Sequence, residues 1–176
     1  MAELEIRIFG DPVLRQRARE VERLTDVHRR LVDDMIETMR AAPGVGLAGP
    51  QIGVVERVFV YEVEEDVGAI VNPKISFRSP ETEVDDEGCL SLPGLLYPVE
   101  RHVSVLVEGV DPVGGPVIKA AEGLLARVFQ HEIDHLDGVL FVDRLPPELR
   151  RKAMRELTQA SLGLAPSTTP VRGESL

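Results

Sequence analysis

The sequence predicts an α+β fold from three observations. Three helical stretches stand apart along the chain. The runs between them have strand character. Their order lacks the regular strand–helix alternation of a parallel α/β protein. At 176 residues, the chain is the size of one domain, long enough to bury most of its apolar surface. We expect a single domain over residues 1–160 and a disordered tail over 161–176, where Ser, Thr, Pro and Gly dominate.

In chain order, Phe9-Gly10-Asp11-Pro12 is a turn-forming entry in which Pro12 restricts Asp11. From Thr25-Asp26 the pattern turns helical. Leu24, Val27, Leu31, Val32, Met35, Ile36 and Met39 recur at three- and four-residue intervals, until Pro43-Gly44 ends the run. His28 falls among charged neighbours on this helix and reads as a solvated surface histidine. The next ten residues, Gly44 to Gly53, hold four glycines, an alanine and a proline. They cannot form a regular helix or central strand, and they suit a wall that brings backbone close to something.

Val54 to Val63 is rich in β-branched and aromatic residues and predicts a strand turned at Glu64-Glu65-Asp66. Short strand pieces flank an irregularity at Asn72-Pro73. Glu81 to Glu87 is an acidic run, the mark of a solvated face. Val103, Val105 and Val107 alternate as a half-buried strand, with Val117 to Ala120 as its hairpin partner. The segment from about Gly123 to Leu136 is helical and apolar on two sides, so it should be buried between layers. Val139 to Val142 reads as a short strand. Pro146-Pro147-Glu148 opens a last helix whose exposed face carries Arg150, Arg151, Lys152 and Arg155.

Composition excludes several function classes. A net charge of −10 argues against wrapping nucleic acid as the main task. No stretch approaches the roughly 20 apolar residues of a membrane span. The charged start of the chain lacks the apolar core of a signal peptide, so a cytoplasmic location is expected. The lone cysteine, Cys89, precludes an internal disulfide.

The chemistry centres on Gln130-His131-Glu132-Ile133-Asp134-His135, an H-E-x-x-H pattern on the buried helix. Residues four apart in a helix lie one turn up on nearly the same face, within reach of one metal ion. Glu132 sits roughly 100° round from His131 and roughly 60° from His135, able to flank that ion as a general base without ligating it. A third ligand is still needed. Cys89, an Asp or Glu, and His102 are the candidates. Cys89 would contribute a charged thiolate, and Cys plus two His leaves a tetrahedral position open, the layout of a catalytic site.

Three blocks together resemble peptide deformylase: Gly44-Val45-Gly46-Leu47-Ala48-Gly49-Pro50-Gln51, Glu87-Gly88-Cys89-Leu90-Ser91 and Gln130 to Gly138. The resemblance covers roughly the first 160 residues. It implies strands packed in antiparallel or mixed sheets around a central metal-binding helix, with an N-terminal and a C-terminal helix. It implies removal of the formyl group from N-formylmethionine of newly made polypeptides. By position it assigns Cys89, His131 and His135 to the metal and Glu132 to acid/base work. Gln51 and the Leu90 N–H are assigned to the developing oxyanion. Val128, with Leu124 and Val45, is expected to wall the methionine pocket. The Gly44-Val45-Gly46 edge would pair with extended peptide backbone. The resemblance implies one divalent metal, Fe2+, where the donors also permit Zn2+, Ni2+ or Co2+.

Two positions depart from the family pattern. Gly49 stands where a second alanine is usual, and loss of that methyl should loosen the loop. Leu96 stands where many bacterial members carry an arginine. Two other readings compete. An H-E-x-x-H metallopeptidase would normally take a Glu or His ligand further along, yet no His follows His135. A non-catalytic metal- or peptide-binding relative should have lost one of the five key positions, and all are intact. The basic face of the last helix suggests contact with ribosomal RNA, against the plainer reading of a solvated face.

Overall fold

In a computed structural model, residues 2–163 are described. Strands β1 (Gly46–Ala48), β2 (Val58–Val63), β3 (Asp66–Arg78), β6 (Ser104–Val110) and β7 (Pro116–Glu122) form one antiparallel sheet in the order β1-β2-β3-β6-β7. Strands β4 (Thr82–Glu87) and β5 (Tyr97–His102) make a separate two-stranded antiparallel sheet. Helices α1 (Asp26–Ala41), α2 (Gly123–Leu136) and α3 (Pro147–Ser161) complete the framework. The fold is α+β, as the sequence predicts.

Turn chemistry sets the hairpins. Asp111 Oδ1 accepts the N–H groups of Val113 and Gly115, and Gly114 adopts φ +93° between β6 and β7. The irregularity expected at Asn72 is one kink inside β3. Asn72 has φ +50°, and its side chain exchanges two 2.9 Å hydrogen bonds with the backbone of Val21. The amide thereby fastens the N-terminal arm to the sheet.

α2 is the centre of the molecule. Every residue from Ala126 to Leu136 is buried. Its Ala126, Val128, Phe129, Ile133 and Leu136 pack against Phe59, Tyr61, Ile70, Val105 and Val107 of the large sheet. The Phe129 ring meets those of Phe59 and Tyr61 edge-on, with centroids 5.5 and 4.9 Å away. α1 covers a second cluster through Val32, Met35 and Met39. α3 covers a third through Ala153 and Leu157, and that cluster includes Cys89, Leu92 and Phe141.

Several expectations are corrected. Val139 to Val142 is not a strand: Phe141–Arg144 forms a 3-10 turn, capped by the Asp143 carboxylate accepting the Leu140 N–H. The strand expected from Val54 begins at Val58. The acidic run is strand β4, exposed as far as Asp86 but ending in a fully buried Glu87. Its partner β5 was not anticipated. Val27 is 70 % exposed, so it lies off the apolar stripe of α1. His28 is held rather than freely solvated: its ring accepts the Thr25 N–H and lies 3.3 Å from Glu56. α3 continues through Ser161, one residue into the expected tail; residues 164–176 lie outside the described residues.

Candidate active site

Three elements converge on one face of α2. The helix brings His131, Glu132 and His135, the loop after β4 brings Cys89, and a 3-10 turn at Gly49–Ile52 brings Gln51. All five side chains are buried, each at most 2 % exposed. His135 Nε2 lies 3.3 Å from Cys89 Sγ and 3.2 Å from His131 Nε2. The three ligand atoms fall within 4.8 Å of one another.

That donor set fits a divalent cation. Ligand bonds of about 2.0–2.3 Å at near-tetrahedral angles hold ligand atoms roughly 3.3–3.6 Å apart, close to the spacings here. Two imidazole nitrogens and a thiol facing one another at such range can share protons or turn their lone pairs on one cation. The electrostatics agree. Burial pushes His135 well below the usual histidine range, so its ring is a neutral donor. Burial opposes a charge on His131 as well, but Glu87 and Cys89 outweigh it and raise His131 well above that range. Glu87 and Cys89 thus favour positive charge at His131, while His135 stays neutral.

Glu132 is fully buried, and neither carboxylate oxygen has a hydrogen-bond partner among the described residues. Burial, the largest influence, pushes its carboxyl up to about 7 against the opposing charge of His131. Such an orphaned carboxylate is costly unless it serves a cation, a water or a substrate. Gly46 makes the room: a Cβ there would collide with Glu132 Oε1.

Gln51 is oriented by the backbone. Its Oε1 accepts the Ala48 N–H at 2.9 Å, so its amide NH2 must face the other way. There Nε2 lies 3.2 Å from Ser91 Oγ and 3.7 Å from Cys89 Sγ. The Leu90 N–H donates to no protein acceptor among the described residues. The N-terminal arm ties these loops together, with Arg7 N–H donating to Gln51 O and Phe9 N–H to Ser91 O. Val45 packs against the apolar cluster that contains Val128. Leu124 does not join it. Leu124 is 39 % exposed and borders a small cavity of about 110 Å³ with Glu83, Asp85 and Arg127. His102 stays outside the donor set, its Nδ1 bonded to Ser79 O.

Gly49 corrects a further expectation. A methyl there would stand 2.7 Å from Val54 O and 2.8 Å from Glu56 O. The glycine lets two backbone segments close on each other, so it tightens the turn that carries Gln51.

Other buried polar residues support the site and were missed in the sequence. Glu87 Oε2 accepts the Nδ1–H of His131 at 2.7 Å, fixing the ring so that Nε2 faces the donor set. Arg101 grips Glu87 through Nε and Nη2, and reaches Asp134 on α2 through Nη1. Burial alone would raise the Glu87 carboxyl, but His131 and Arg101 hold it well below the usual carboxylate range. An acid two residues before a candidate thiolate, at the inward end of an otherwise exposed strand, was the available signal.

Comparisons with known proteins point the same way. The family model for polypeptide deformylase matches residues 3–151. A peptide deformylase of Acidothermus cellulolyticus is 51 % identical over 181 aligned positions, covering 100 % of each chain. The crystal structure of a peptide deformylase from Legionella pneumophila superposes with a TM-score of 0.85 at 40 % identity, covering 94 % of this chain and 99 % of that one. One from Synechococcus elongatus, in complex with actinonin, gives 0.84 at 41 % identity, covering 93 % and 91 %.

Proposed function

The chain belongs to the polypeptide deformylase family, and from that premise we propose how its own residues carry the reaction. It is a hydrolase that removes the formyl group from N-formylmethionine at the start of newly made polypeptides, releasing formate. The observation that carries the residue assignment is the orphaned Glu132 carboxylate beside the Cys89–His131–His135 donor set.

Cys89, His131 and His135 hold one divalent cation. When bound, such a cation supplies the acidity that makes water a nucleophile near neutral pH. Glu132, buried and without a protein partner among the described residues, is placed to take a proton from the attacking water and return it to the departing amine nitrogen. The Gln51 Nε2 and the Leu90 N–H donate to the formyl oxygen as it gains charge. Loss of one such donor costs about 10²–10³ in rate. Val45, packed against the cluster that holds the fully buried Val128, is assigned to the methionine pocket together with Val128, with Leu124 further out. β1, at the sheet edge, leaves the Gly46 backbone open to an extended peptide. Family resemblance implies Fe2+, and the same donors also permit Zn2+, Ni2+ or Co2+.

The test is formate release from a formyl-Met tripeptide by the reductant-protected chain loaded with Fe2+ or Ni2+. The Glu132→Ala variant should be about 10²–10⁴ slower while keeping its metal. Equal rates would remove Glu132 from the mechanism. Absence of any membrane-crossing helix among the described residues is compatible with a cytoplasmic site of action. Arg150, Arg151, Lys152 and Arg155 give α3 a basic outer face suited to ribosomal RNA. Cosedimentation with ribosomes that survives reversal of those four charges would dismiss that contact.

A further inference from the structure

The metal centre takes one ligand from a loop and two from a helix, so something outside the ligand set must fix the reach between them. Cys89 follows strand β4 by two residues, while His131 and His135 ride on α2. Arg127 lies one turn before His131 on α2 and is 6 % exposed. Its Nη1 donates to Val99 O on β5 at 2.8 Å and to Glu87 Oε1 at 3.2 Å. Its Nη2 donates to Glu83 O on β4 at 3.1 Å. One guanidinium therefore ties the helix of the histidines to both strands of the hairpin that delivers the cysteine.

The same contact sets the rotation of Glu87. Its Oε1 is shared by Arg127 and Arg101 Nε, which leaves Oε2 to His131 Nδ1 and Arg101 Nη2, each at 2.7 Å. Without Arg127, Oε1 keeps only the longer Arg101 bond of 3.1 Å. Of its two arginines the Glu87 carboxylate then rests on Arg101 alone, and α2 loses its Arg127 bonds to Glu83 O and Val99 O. Lysine cannot replace the fork, because a point charge reaches fewer of these acceptors at once.

We propose that Arg127 is a positioning residue for the metal centre, holding Cys89 and His131 at ligating distance by locking the β4–β5 hairpin and the Glu87 carboxylate to α2. This rests on the assignment of Cys89, His131 and His135 as ligands. Losing a partner in the shell behind the ligands typically costs about 10–100-fold in metal affinity or activity.

The experiment measures release of Zn2+ or Co2+ from the full chain into excess chromophoric chelator, alongside thermal unfolding and the cobalt–thiolate absorption band. Arg127→Gln should release metal about 10–100-fold faster with a weakened band, and Arg127→Lys should fall between it and the wild type. Arg57→Gln is the control. Arg57 bonds Leu136 O and Asp137 at the C-terminal end of α2, just past His135, and does not touch Glu87, so its loss should speed release far less than Arg127→Gln. Wild-type release rates in Arg127→Gln overturn the proposal, as does equal acceleration by Arg57→Gln. Should Arg127→Gln fail to fold, Arg127→Lys decides, and a wild-type rate there overturns it. Failure of the wild type to take up one metal per chain overturns the ligand assignment itself, and the proposal with it.

Discussion

The two flanks of α2 face opposite kinds of surroundings. Toward the five-stranded sheet, Ala126, Val128, Phe129 and Ile133 pack into an apolar cluster. Toward the β4–β5 hairpin, Arg127, His131 and Asp134 meet Glu87 and Arg101 in a buried network of charges. The apolar flank is non-directional, and burial there stabilises the helix wherever its shape fits. The charged flank is directional. A buried ion pair adds little net stability relative to an apolar replacement, yet breaking one leaves an uncompensated charge. The first flank sets where the helix lies, and the second sets how the ring of His131 is turned.

Removing a member from each flank separates these roles. The largest effect is expected from Glu87→Gln, which strips the charge shared by Arg101, Arg127 and His131. It should cost about 3–5 kcal/mol of stability and speed metal release about 10–100-fold, read by denaturant unfolding and chelator competition. Phe129→Ala should cost a similar 3–5 kcal/mol or so by leaving a cavity. Its folded fraction should nevertheless release metal at the wild-type rate. If Phe129→Ala loosened the metal as much as Glu87→Gln, the two flanks would not be distinct.

The smallest effect sits between the flanks and concerns protons. In metal-stripped protein the Glu132 carboxyl is raised from its ordinary 4.5 to about 7. Between those values the folded chain holds a proton that the unfolded chain has lost. The Glu132 contribution to stability should therefore fall as pH rises through that window and level off above it, by about 3 kcal/mol. Glu132→Gln should remove that portion of the slope. Metal loading should flatten it as well, since a nearby cation favours the ionised carboxylate. An unchanged slope in Glu132→Gln would mean that the carboxyl is not desolvated as the structure places it.

The sequence disclosed most where chemistry is local. The i, i+4 spacing of His131 and His135, the double apolar face of α2 and the glycine-rich turn before Gln51 follow from helix periodicity and backbone sterics, which act within a few residues. The family resemblance extended that reading to Cys89. What escaped depends on pairing across the chain. The acidic pattern of Glu81 to Glu87 marks a solvated face, and only the register of β4 against β5 buries Glu87. Arg101 reads as one more charged residue until that hairpin turns it inward. Gly49 looked like a lost methyl, but the carbonyls of Val54 and Glu56 close against it.

By itself, then, the sequence determined the ligand types, their spacing on one helix and the presence of a carboxylate beside them. These are properties of short segments, encoded by side-chain chemistry and a fixed helical rise. Only the tertiary structure decided that the Glu132 carboxylate stands without a partner among the described residues, that Gln51 turns its NH2 toward Cys89, and that Glu87 and its arginines orient His131. Each of those depends on which distant group occupies the same few ångströms, and no local pattern records that.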